Sequence, residues 1–127
     1  WREYGNRVGA WRLLDLFEEL RWGPVGAIIN TACYDECPEL VAALRKRGDE
    51  MIAHGHTNSE RQGELSEEEE RRLIEACTAR MTREEGKAPR GWLSPWISES
   101  AVTPDLLKAC GYSYNLNWAM DDLPVRM

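Results

Sequence analysis

At 127 residues the chain is long enough for one domain with a real core. A composition 43% hydrophobic and 30% charged suits a folded globular protein, and no apolar run approaches the length that spans a bilayer. A net charge of −6, with Lys and Arg scattered rather than clustered, excludes a protein that grips nucleic-acid backbones.

In chain order, residues 7–21 place Val8, Trp11, Leu14 (with Leu13), Phe17 and Leu20 at helical spacing, which predicts an amphipathic helix broken by Gly23-Pro24. VGAIIN (25–30) follows as a short apolar run, expected as a strand buried on both faces of a parallel sheet. Pro38 opens the next helix, which turns Leu40, Val41 and Leu44 inward and stops at Gly48. MIAHG (51–55) reads as a second strand that delivers His54 at its end. Ser66 and Glu69 form a capping box for a long helix to about Arg83, with Leu73, Ile74, Cys77 and Met81 on one face. Its run of four glutamates is a dipole-stabilised helix start and not a site. RGWLSP (90–95) is a third strand, Thr103 to Gly111 a short helix, and YSYNLNW (112–118) a fourth strand.

Strands alternating with helices of these lengths mean parallel βα units, so the expected fold class is α/β. Ligands in such folds gather beyond the carboxyl ends of strands, and three stretches sit there: His54 to Ser59, Ser94 to Trp96, and Asn117 to Asp122. Their convergence is the main physical argument for a site.

A neutral imidazole at a strand end makes His54 a candidate zinc ligand or acid–base group, or simply a hydrogen-bonded strand terminus. Four residues on stands Asn58, whose amide oxygen is a poor partner for zinc; His56 could substitute only if the loop turned it inward. Trp92 and Trp96 are either a wall that stacks on sugar rings or core residues. Ser59 and Ser94 lack the G-x-S-x-G context of a hydrolase nucleophile. Asp121 and Asp122 offer paired carboxyls for ligation or proton transfer, or form an ordinary turn before Leu123-Pro124. Cys33, Cys37, Cys77 and Cys110 contain no C-x-x-C pair and read as buried free thiols in a reducing compartment. With no apolar leader after Trp1-Arg2-Glu3-Tyr4, the expected location is the cytoplasm.

Taken together, REYGNRVGAWRLLDLFEEL, PELVAALRKRG, EMIAHGHTNS, GKAPRGWLSPWISES, TPDLLKACGYSY and NWAMDDLP resemble the polysaccharide deacetylase family, the NodB-homology group. The likeness is greatest to a branch that also holds allantoin and cyclic-imide hydrolases. It covers nearly the whole chain and implies a partial (β/α) barrel of the NodB-like deacetylase type, with about four parallel strands alternating with helices. It also implies hydrolysis of non-peptide C–N bonds, chiefly N-acetyl groups of amino sugars. In the metal-dependent members an Asp pair supplies the base and one ligand, and two histidines four apart supply the rest. The metal then polarises the amide carbonyl and activates water.

Carried onto this chain, the first histidine falls on His54 and the second on Asn58, while the third motif's arginine falls on Leu93, after the aromatic Trp92. The resemblance puts the Asp-pair strand ahead of residue 1 and the late histidine motif past Met127. Residues 1–127 are therefore expected to be a single partial domain from the middle of a barrel, either a fragment of a longer protein or a short form whose open edges pair in a homodimer or other self-association, the second being favoured. The resulting pocket would use His54 (with Asp121 or Asp122) for catalysis and Asn58, Trp92, Ser94 and Trp96 for an amino-sugar or small-molecule substrate. Zinc is the implied cofactor, with His54 as its ligand. Two other readings stay open: a catalytically degenerate carbohydrate-binding module, and an oligomeric structural subunit.

Overall fold

The computed structural model describes residues 2–118; Asp121 and Asp122 lie outside the described residues. Helix α1 (Arg2–Tyr4) runs through one π-helical stretch (Gly5–Gly9) into α2 (Ala10–Glu19). There follow β1 (Gly26–Ile29), α3 (Cys33–Glu36), α4 (Pro38–Arg47) and β2 (Glu50–Ala53). After them come α5 (Glu67–Glu85), β3 (Gly91–Trp92), α6 (Thr103–Ala109) and β4 (Tyr114–Asn115). The strands form one sheet in the order β1-β2-β3-β4, and β3 lies parallel to both β2 and β4. This is the α/β arrangement the alternating pattern predicts. No helix among the described residues is long and apolar enough to cross a membrane.

The described residues divide into two compact groups of segments, 2–27 with 33–50, and 28–32 with 51–118. In the first, Leu14, Tyr34, Cys37, Val41 and Leu44 are buried. Pro38 sits in the first turn of α4, and Gly48 ends it in the left-handed conformation (φ 80°) that glycine adopts without strain. Just beyond, the buried Asp49 accepts the Val25 N–H at 2.9 Å and the Arg47 Nε–H at 3.1 Å. The Arg47 guanidinium also lies 5.2 Å over the Phe17 ring.

The expected amphipathic helix forms as α2, in which Leu14 is buried while Trp11, Leu13 and Leu16 are exposed. One sequence expectation is corrected here. β1 is not buried on both faces: Ile29 is buried but Ile28 is 43% exposed, because β1 is the outer strand of the sheet.

In the second group Met51, Ile52 and Ala53 of β2, Ile74, Cys77 and Met81 of α5, Trp92, and Leu106 and Leu107 of α6 are buried. The capping box forms at the start of α5: the Ser66 hydroxyl accepts the Glu69 N–H, and the Glu69 carboxyl accepts the Ser66 N–H at 3.0 Å. These bonds hold the Glu69 carboxyl below its ordinary pKa.

Its neighbour Glu70 behaves differently. Position 70 is in phase with Ile74, Cys77 and Met81, and the residue is fully buried. The Glu70 carboxyl accepts the Gln62 amide at 2.8 Å, the Ser100 hydroxyl at 2.6 Å and the Thr103 hydroxyl. It thereby joins the loop before α5 to the segment leading into α6.

The cysteines are free; Cys37 and Cys77 are buried, Cys33 and Cys110 half-buried. Burial pushes the Cys77 thiol up to about 11. Iodoacetamide is therefore expected to label Cys77 slowly at pH 8 in the folded chain and quickly once urea unfolds it. Glu70→Ala strands three donors and should cost about 3 kcal/mol in urea unfolding, whereas Glu68→Ala on the exposed face should stay within about 0.5 kcal/mol.

Candidate functional site

Parallel pairing of Ala53 with Trp92 sets the ends of β2 and β3 side by side, and the Leu93 N–H donates to the Ala53 carbonyl at 2.9 Å. The next residue of each strand therefore meets the other. His54 Nδ1 lies 2.6 Å from the Leu93 carbonyl oxygen. A carbonyl only accepts, so this nitrogen carries a proton, and in the uncharged form of the ring the lone pair lies on Nε2. From the end of β1, the Asn30 amide donates to the His54 carbonyl, and the Thr31 N–H donates to the Gly55 carbonyl at 3.0 Å.

The loops after β2 and β3 interlock beyond this bond. Gly55 has φ 64°, and a Cβ there would stand 2.8 Å from the Pro95 Cγ, so glycine alone allows both the turn and the contact. The Trp96 indole N–H donates to the Asn58 carbonyl at 2.7 Å, and the Arg61 guanidinium lies 5.5 Å over the Trp96 ring. Trp96 and Ile97 hold φ 63° and 54°. Left-handed backbone at such residues costs on the order of 1–3 kcal/mol each and persists where the surrounding structure over-determines it. Here it turns the Trp96 ring outward, 62% exposed.

The sequence candidates separate into an outer and an inner set. His54 is half-buried, while Asn58 and Trp96 are exposed. Trp92 is fully buried, edge-on to Tyr112 with ring centroids 5.4 Å apart, so it is a core residue and offers no open face for stacking. Ser94 is fully buried too: its Oγ accepts the Trp92 indole N–H at 2.9 Å and the Asn117 amide at 2.8 Å. Its place is in the frame beneath the turn and not at a substrate surface. Exposed Ser59 donates its backbone N–H to the Thr57 hydroxyl at 3.1 Å. Exposed His56 turns to Thr31, with Nδ1 3.0 Å from its hydroxyl oxygen.

Asn30, Arg61 and Glu99 were missed from the sequence, and Asn117 stood in a candidate stretch without its bond to Ser94 being foreseen. A signal for Asn30 existed, since it closes the apolar run VGAIIN as His54 closes the next.

The donor set for zinc does not fit as it stands. No group of three His, Cys, Asp or Glu side chains placed to hold a metal ion occurs among the described residues. His54 could offer only Nε2, since its other ring nitrogen is tied to Leu93.

Comparison with known proteins supplies the context for this arrangement. The sequence profile of the family described as Polysaccharide deacetylase matches residues 3–115. A peptidoglycan deacetylase of Helicobacter pylori is 28% identical over 116 residues, which are 88% of this chain and 38% of that protein. A Pseudomonas aeruginosa PAO1 protein named as a probable polysaccharide deacetylase superposes with a TM-score of 0.84 at 30% identity, over 97% of this chain and 40% of that one. An allantoinase superposes with a TM-score of 0.81 at 26% identity and the same coverage. The chain thus spans about two fifths of the length of these relatives.

Because Gly55 fixes how the two loops meet, Gly55→Ala should lower urea stability by about 1–3 kcal/mol. Gly23→Ala, with nothing within 4 Å of the added carbon, should leave the urea midpoint close to wild type.

Proposed function

As the chain belongs to the polysaccharide deacetylase family, we propose that it carries the imidazole and one aromatic wall of a hydrolase of non-peptide C–N bonds. The substrate class is an N-acetylated amino sugar or a ureide-like cyclic amide. One observation carries the reading: the Leu93 carbonyl holds His54 with Nε2 as the free lone pair, and the same pair of loops holds the Trp96 ring open to solvent.

In this reading Nε2 takes a proton from water as the water oxygen bonds to the amide carbon. The imidazolium then gives that proton to the departing nitrogen as the C–N bond breaks. The Nδ1–H bond to Leu93 strengthens as the ring becomes charged, which favours the transition state over the resting enzyme. Trp96 supplies an apolar face for the C–H side of a sugar ring, with Arg61 keeping the indole in place. Asp121 and Asp122 remain the sequence candidates for a second acid–base group.

A binding module without turnover is the second reading. It is favoured by Asn58, which stands where the resemblance puts a second histidine and holds Trp96 through its backbone carbonyl.

Release of acetate from chito-oligosaccharides, or ring opening of allantoin, tests the proposal. Turnover is expected, with His54→Ala lowering kcat by about 10²–10⁴-fold and Trp96→Ala mainly raising KM. Saturable sugar binding with no product, lost in Trp96→Ala, selects the binding module. Neither binding nor turnover rejects both.

A further inference from the structure

Glu99 follows the Trp96-Ile97 turn and is half-buried. Its carboxyl gathers three donors from the end of β4. Oε2 accepts the Asn117 amide at 2.6 Å and the Asn115 amide at 3.3 Å, while Oε1 accepts the Trp118 indole N–H. The orientation of the Asn117 amide is set by its partners. Oδ1 accepts the Ser94 N–H at 2.7 Å, so Nδ2 faces both the Ser94 Oγ and Glu99. Ser94 is covalently next to Leu93, the residue whose carbonyl holds His54.

We propose that Glu99 is a positioning residue for His54: through Asn117 and Ser94 it fixes the Leu93 carbonyl, and with it the tautomer of the imidazole. β3 is only two residues long, and past it the chain turns into strained backbone at Trp96 and Ile97. Backbone pairing alone leaves the Leu93–Ser94 peptide weakly held, and the side-chain clamp supplies the missing rigidity. The carboxyl matters as such. It presents acceptor oxygens to all three donors, whereas an amide at this position would turn its own NH₂ toward at least one of them.

The inference rests on the reading of His54 as the working group, but its test observes the imidazole directly and not turnover. It can therefore fail while hydrolysis stands, or hold while hydrolysis fails. The chain has two histidines, and His56 is held by Thr31 and not by Leu93, so it serves as an internal control. With the full chain labelled with ¹⁵N-histidine, His54 in the wild type should show the Nδ1–H tautomer. In Glu99→Gln, a near-isosteric change, the His54 ring shifts should move toward the mixture of tautomers of free imidazole while those of His56 stay. Asn117→Asp keeps the acceptor for the Ser94 N–H and removes the donor to Glu99, so it should give the same selective change. His54 shifts that remain at wild-type positions in either variant overturn the proposal. So do shifts in which both histidines move together, since Glu99 would then act on the fold at large.

Discussion

The bond between the His54 imidazole and the Leu93 carbonyl is the constraint on which the site depends. It exists because β2 and β3 run parallel in a register that pairs Ala53 with Trp92, so one strand's first loop residue reaches the other's backbone. Register in a parallel sheet is thus translated directly into the chemical state of a side chain. A slip of one residue would turn His54 to the opposite face and remove the carbonyl from its reach.

What surrounds that bond is a frame with a division of labour between inner and outer residues. Trp92, Ser94 and Asn117 lie inside and fix the path of the chain, while Trp96 is exposed and the half-buried His54 is oriented by the Leu93 carbonyl. The left-handed backbone at Trp96 and Ile97 is tolerated because contacts on both sides define it: Pro95 against Gly55, the indole on Asn58, and Ser94 clamped by Asn117. A flexible loop would relax such backbone. Here the local cost is offset by the surrounding bonds, and the outcome is an indole presented to solvent by the same two loops that fix the imidazole tautomer.

Much of this was legible in the sequence. The alternation of periodicities gave the α/β class and the capping box gave the start of α5, while the strand-end rule pointed to His54, Ser94 and Asn117, which lie in loops joined by the His54–Leu93 and Ser94–Asn117 bonds. The division between wall and frame was not legible, because Trp92 and Trp96 look alike in GWLSPW. They differ only through a backbone turn that no periodicity encodes, which buries one and exposes the other. Glu70 escaped notice for the opposite reason. It stands in a run of four glutamates that reads as a solvated helix start, although its phase with Ile74 and Cys77 marked it as inward. Asn117 and Glu99 act across sequence separations that local patterns do not reach.

The account's central claim is that the loops after β2 and β3 form one ligand surface, with the His54 Nε2 and the Trp96 ring as its working parts. The most direct measurement is a titration of the uniformly ¹⁵N-labelled full chain with an N-acetylated chito-oligosaccharide, followed by NMR. The account predicts that the His54 ring and Trp96 indole resonances shift together along one saturating curve. Resonances of these two groups that stay fixed while others move, for instance on the exposed face of α2, would contradict it.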